Sequence, residues 1–586
     1  MRILTVFFVL ICIHAIGRPS TIYVPDDYTL IQNAIDAAVI GDTIIVRPGT
    51  YPESIDFYGK DIHLRSEQGP DVTIIDGAQS SWIVVTFRLA EGSAAIIEGF
   101  TITNGNHPLG GGVFCYYASP TIRDNIITAN ASVRGAGVRC QYSAAIITGN
   151  VISDNTADSR GGGIDCEGGT PEITNNEILN NTTQGIFYDG GGGIFCDNTQ
   201  ANIENNTLLG NIGGDDGGGI YCYKSDTRIA DNEILYNTAE NGGAIYCYQS
   251  SPLIDGNLMM QNGASDEGGA ICSYTSSPTI TRNKIVGNVT SKRGGAIYCE
   301  GVYGGPIEIA SNFVDRNEAA RGGGIYTDKV SPVILNNVIT GNQARQSGGG
   351  IYFRNHQPVL AHNTICGNQA AGTGGGIYDY DTYSMTIINC IVWENLPDQI
   401  VAVSPDVRYS DIQGGWSGSG NIDTDPLFAA AAQFDYHLTY DSPCRNSGYD
   451  LPSALAQDFE EDPRIAGGQA DMGADEFYPH LYHLGQVVPG GSMAIAVVGN
   501  PGISPVTLAL GSGVQDPPEP TPYGDLYLVG PFQQFDIGKV PAGGILGVIV
   551  TVPLSWSTGE EYPFQALLGS LSPRSELTNL MVLEVQ

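Results

Sequence analysis

A short unit recurs along this chain every 25 or 26 residues, and that period limits the possible folds more than any other feature. It is clearest from Gly217 to Asn237: three glycines, then Ile220, Tyr221 and Cys222, then Ile229, Asn232, Ile234 and Asn237. The residue after the glycines recurs as Val113, Val138, Ile164, Ile194, Ile220, Ile245, Ile271, Ile297, Ile325, Ile351 and Ile377. Each of the first ten copies also carries two asparagines five apart, from Asn125 and Asn130 to Asn363 and Asn368. Ile220 in, Tyr221 out and Cys222 in is the period of a strand with one face on a core. No unit holds the ten or more helix-periodic residues of a helical solenoid, and triple glycines penalise any helix. Short strands between Gly and Asn corners therefore predict one coil of a parallel β-helix per unit, each coil stacked on the next at about 4.8 Å.

The asparagines are read as corner residues, because Asn tolerates left-handed backbone angles and its amide can bond to the same Asn in neighbouring coils. The glycines supply angles that a Cβ disfavours. Two spacings break the rule: Ile297 to Asn312 and Asn176 to Ile194 are lengthened. The insertions, near Gly301 to Pro306 and Gln184 to Gly190, are either binding loops or tolerated variation.

Lys and Arg number 26 against 62 Asp and Glu, a formal charge of −36. Such a surface repels phosphate backbones and anionic lipid and attracts divalent cations, so nucleic acid is not an expected partner. Residues 1–17 read as a secretory signal, with Arg2, the apolar run Ile3 to Ile13 and a small-residue end at Ala15-Ile-Gly17. No apolar run is long enough for a transmembrane segment. A helix is expected within Tyr23 to Asp42, with Ile31, Ala34, Ile35 and Ala38 on one face and Asp26 or Asp27 capping it; it would cover the open end of the first coil.

Thr29 to Ala38, Gly41-Asp-Thr-Ile-Ile-Val46, Pro48-Gly-Thr-Tyr51 and Thr73-Ile-Ile-Asp-Gly77 resemble the opening of secreted bacterial right-handed parallel β-helix proteins of the pectate-lyase-like superfamily. Asp423 to Phe428, Asp435-Tyr-His-Leu438 and Asp471 to Phe477 resemble their usual ending. The repeats around Gly242, Gly268 and Gly294 also resemble those of the polymorphic outer membrane proteins of chlamydiae, which are adhesins, though the paired asparagines depart from that motif. The resemblance implies an all-β, right-handed parallel β-helix over residues 18–478, regular from 111 to 378, with closing coils and a cap from 379. Residues 479–586, Pro-rich near Pro517 to Pro522, read as a separate C-terminal β-sandwich, either an attachment module or a plain stabilising domain.

Cys115, Cys140, Cys166, Cys196, Cys222, Cys247 and Cys299 fall on the inward face as a column, with Cys272 one residue out of step. Strand spacing slightly exceeds what a disulfide prefers, which favours buried thiols over disulfides. Tyr221, Tyr246, Tyr298, Tyr326, Tyr352 and Tyr378 form an outward column that either stacks on sugar rings or only on itself. For catalysis the nearest approximation is Asp215, Asp216 and Arg228, two carboxylates and a base as a polysaccharide lyase or hydrolase would need. Asp423, Asp425 and Asp435 are candidate Ca²⁺ ligands, being hard oxygen donors in an acidic chain. The reading is a secreted or cell-surface monomer that binds a polysaccharide or cell-surface glycan without catalysis, with lyase or hydrolase activity as the alternative.

Overall fold

The computed structural model describes residues 19–78, 82–185, 190–301, 307–355, 357–381, 384–439, 441–451, 457–460, 463–465 and 469–477 with their side chains, and only the backbone of strands beyond 480. The signal segment and the centres of both insertions lie outside the described residues.

The chain winds as an all-β parallel solenoid. One coil is shown by Ile220–Tyr223, Arg228–Ala230, Glu233–Leu235 and Thr238–Asn241, each on a different face. The first three belong to sheets of 14, 16 and 15 strands, called here the first, second and third sheets. The fourth belongs to a six-stranded side ribbon, with a three-stranded ribbon in earlier coils. Register is kept from coil to coil: Ile220 pairs with Ile245, Tyr221 with Tyr246 and Cys222 with Cys247, in parallel. Ile220, Cys222, Ile229 and Ile234 are wholly buried, and one core runs from Val24 to Ile412.

The paired asparagines form two ladders. Asn232 Nδ2 donates to Asn257 Oδ1 at 3.0 Å and to the Ile203 carbonyl at 2.9 Å, and the Asn232 N–H reaches the same Asn257 oxygen at 3.0 Å. Both amide hydrogens and both oxygen lone pairs are thus used at a site 1% exposed, which is what allows a polar column inside the shaft. One ladder ends on Cys390 Sγ, 3.8 Å from Asn363 Nδ2, and the other reaches Asn395. The left-handed angles, however, fall one residue earlier than expected, at Asp231 (φ 53) and Tyr236 (φ 55) rather than at the ladder asparagines. The corner residue turns the chain, and the next residue, free to keep ordinary angles, bonds inward.

Gly217 has φ 63, and a Cβ there would lie 2.5 Å from the Ile220 carbonyl oxygen and 2.9 Å from Tyr221 Cβ. The glycine corner therefore lies against the outer face of the strand it precedes.

The helix is Ile31–Ala37, with Ile31, Ala34 and Ile35 buried. Neither Asp26 nor Asp27 caps it. Glu53 accepts the N–H groups of Ile31 and Gln32 at 2.9 and 3.0 Å, while Asp26 pairs with Arg47 and Asp27 accepts from Tyr23. Beyond residue 480 the strands pair antiparallel, as in Ser492–Val498 with Ile545–Thr551. The Pro-rich stretch near Pro517 falls largely inside the strand Val514–Thr521.

The described residues of 428–477 contact several earlier coils. Tyr436 bonds to Thr340, the Gln457 carbonyl accepts from Asn336 Nδ2 at 2.9 Å, and the Ala474 N–H donates to Thr364 Oγ1 at 3.0 Å. The described residues of this segment lie back along several coils as a strap.

Candidate functional site

Shaft and strap enclose a cleft of about 620 Å³ lined by Arg282, Lys284, Phe313, Arg316, Phe434 and Phe459, with Asp315 and Glu460 at its polar edges. The repeat explains the shaft wall. Arg282 and Arg316 occupy left-handed corners at φ 54 and 51 before ladder asparagines, so their side chains leave the shaft. Lys284 and Phe313 are register partners that open successive strands of the third sheet. The strap adds Phe434, also left-handed at φ 65, and Phe459.

Cations and rings alternate here. The Arg316 guanidinium lies 4.5 Å from the Phe434 ring centre and its Nε 2.7 Å from Asp315 Oδ2; Lys284 Nζ lies 5.9 Å from the Phe313 centre. Arg282 Nε donates to Asp255 Oδ1 at 2.8 Å, and that hydrogen bonding holds the Asp255 carboxyl below its ordinary range. Burial raises Asp315, only partly offset by Arg316. Three cations meet at this cleft, Arg282 paired with Asp255 and Arg316 with Asp315.

A second chamber of about 200 Å³ shares Phe313, Phe434, Phe459 and Glu460 and adds Tyr436, His437 and Asp475. His437 Nε2 lies 2.8 Å from Glu460 Oε2, and its Nδ1 bonds to Asp435. Burial alone would lower the imidazole pKa, but hydrogen bonds to Asp435 and Glu460 carry it up to about 11. Asp475 is pushed well above the carboxylate range by burial, with His437 opposing.

The residues singled out from sequence are dispersed. Asp216 is buried beside the side ribbon, accepts from Asn241 Nδ2 at 3.1 Å, and rises to about 7 through burial with Asp215 and Glu240 adding to it. Asp215 receives the Glu240 and Asn241 N–H groups on its carbonyl. Arg228 lies on the second sheet, 3.2 Å from Glu204 Oε1. A corner and a strand separate it from the aspartates, so the structure does not bring Arg228 to the two carboxylates. Asp423 and Asp425 lie near Asp411, which burial raises to about 6, whereas Asp435 belongs to His437. Among the described residues those three do not converge as one ligand set.

The outward tyrosine column is not exposed. Tyr221 and Tyr298 are 0% exposed, Tyr326 1%, Tyr352 5% and Tyr246 8%, while Tyr378 is half-buried. They form a second small core with Phe195 and Cys272. The cause is the glycine corner, which lays the preceding chain over the strand's outer face. The rings pack on each other, Tyr326 on Tyr352 at 4.7 Å. The more accessible rings are two residues further on, where Tyr223, Tyr248 and Tyr274 stack at 5.8 and 6.0 Å. The eleven described cysteines are free and buried. Cys115 through Cys247 run in register, Ser273 interrupts, and Cys299 resumes, while Cys272 joins the tyrosines outside.

Sequence reasoning missed the cleft. Asp435-Tyr-His-Leu438 reads from sequence as part of an ending, with Asp435 a candidate Ca²⁺ ligand beside Asp423 and Asp425, and nothing in the sequence ties it to Arg282 or Phe313.

Residues 80–193 and 192–390, together more than half of the chain, match the family described as right handed beta helix region. No curated protein matches the sequence. Among solved structures, a PL6 family alginate lyase is 13% identical, with 80% of this chain and 60% of that one covered and a TM-score of 0.33. A pectate lyase is likewise 13% identical, with 79% and 97% covered and a TM-score of 0.28. The chain thus spans 60% of the alginate lyase's length.

Proposed function

We propose, from the premise that this chain belongs to the right-handed β-helix family, that it is a secreted or cell-surface protein binding a glycan in the cleft between shaft and strap, without turning it over. The observation that carries this reading is the lining itself: Phe313, Phe434 and Phe459 beside Arg282, Lys284 and Arg316. Aromatic faces bury the apolar side of a sugar ring, and charged groups at the rim meet its hydroxyl or carboxyl groups. A volume of about 620 Å³ suits a few sugar units. The non-catalytic part of this reading is supported by the separation of Arg228 from Asp215 and Asp216. In this reading the Ile31–Ala37 helix caps the first coil, and the antiparallel tail is a β-sandwich that attaches the protein to a surface. Among the described residues no helix is long and apolar enough to cross a membrane.

The test is a panel of acidic and neutral polysaccharides, scored for retention, for unsaturated-product absorbance and for new reducing ends. Retention without product, weakened about tenfold or more by Phe434→Ala at a cost of about 1.4 kcal/mol, is expected. Turnover abolished by a single carboxylate substitution would replace this reading with the lyase or hydrolase alternative.

A further inference from the structure

We propose that His437, Glu460 and Asp475 form a binding site for a divalent transition-metal ion of the zinc class in the smaller chamber of the cleft. Each offers one ligand atom, and these atoms lie within 4.8 Å of one another, the one such set among the described residues. One imidazole nitrogen with two carboxylate oxygens is a donor set for Zn²⁺, Co²⁺ or Mn²⁺. Calcium wants six to eight oxygens and no nitrogen, so the same set selects against it.

A second observation points to a cation. Asp475 is 7% exposed; its Oδ2 accepts the Leu438 N–H at 3.1 Å, but its Oδ1 is buried with no hydrogen-bond donor among the described residues. A buried carboxyl oxygen without a hydrogen-bond partner is costly, and a metal ion taking the place of the carboxyl proton would satisfy it. Asp435 engages Nδ1, so Nε2 is the nitrogen directed at Glu460, and an ion bound there replaces the Nε2 proton, which passes to solvent. A carboxylate on the far nitrogen is how metal-binding histidines are oriented. An ion pair accounts for His437 between Asp435 and Glu460, and Arg464 sets a charge opposite Asp475, but no hydrogen bond from the described residues reaches Asp475 Oδ1. The chamber opens beside Phe434 and Phe459, giving an ion a path from the larger cleft. The proposal does not rest on glycan binding, and its test uses no glycan.

The full chain, stripped with a chelator, is titrated with Zn²⁺ and with Co²⁺, following heat and visible absorption, with Ca²⁺ in parallel. One equivalent of Zn²⁺ or Co²⁺ per chain is expected, Co²⁺ developing ligand-field bands. Glu460→Gln and His437→Gln should each weaken binding about tenfold or more. Glu460 has a side chain 40% exposed, so its substitution preserves the fold, checked by an unchanged denaturation midpoint. Absence of saturable binding by the unsubstituted chain, equal binding by Glu460→Gln, or preference for Ca²⁺ would each overturn the proposal.

Discussion

The shaft and the strap are held together in opposite ways. In the shaft each contact is a copy of the one a coil away: Asn232 meets Asn257 as Asn257 meets Asn283, both at 3.0 Å. In the strap each contact occurs once, such as Arg464 with Asn336 and Ala474 or Tyr436 with Thr340. Repetition spreads stability evenly over neighbour interfaces, as in other solenoids. It also gives no coil a chemistry of its own. The candidate site arises where the singular segment meets the repeated one, because only there do side chains of different kinds converge.

Removing the strap's anchor should have the largest effect. Arg464 is buried, donates to the Ala474 carbonyl at 2.7 Å, and is surrounded by Asp458, Glu476, Asp475 and Asp471. Arg464→Ala should cost strap docking about 3 to 5 kcal/mol by leaving those acids without their counter-charge. Proteolysis should then cut within residues 428–477 while the shaft stays resistant; uniform sensitivity would mean that the two regions are one cooperative unit.

Breaking a ladder tests the other side. Asn257→Ala strands the Asn232 donors and should cost about 2 to 3 kcal/mol in denaturant unfolding. Hydrogen exchange should rise in the adjoining coils and leave the strap protected.

A pH effect follows from Asp216. Its folded pKa of about 7 lies above the ordinary 3.8, so its protonated form stabilises the fold at low pH, and that contribution is lost as pH rises from about 4 through 7. Asp216→Asn should therefore raise stability at pH 8 by about 2 kcal/mol, roughly half the full linkage value, and change nothing at pH 4. Equal effects at both pH values would refute the linkage.

The smallest effect is expected at Tyr248. If the cleft binds the glycan, Tyr248→Ala should alter retention by less than about twofold, or about 0.4 kcal/mol, while Phe434→Ala abolishes most of it. The reverse order would move the site to the stacked tyrosines on the shaft.

The period of 25 or 26 residues made the solenoid, the two asparagine ladders and the cysteine column legible, because each residue's neighbours are its own copies one period away. Left-handed corners were legible as a class but off by one residue, since either the turning residue or the bonding residue satisfies an Asn preference. Tyr221 was placed on the correct side of its strand, yet its burial depends on where Gly217 lays the preceding chain. Alternation reports direction and says nothing of what covers the outer face. The cleft lies further still from the sequence: Lys284 and Phe313 meet Phe434 and Phe459 across more than a hundred residues with no shared period. Local pattern specifies contacts between like residues in successive coils, whereas a contact between unlike, unrepeated segments exists only once the strap has folded back on the shaft.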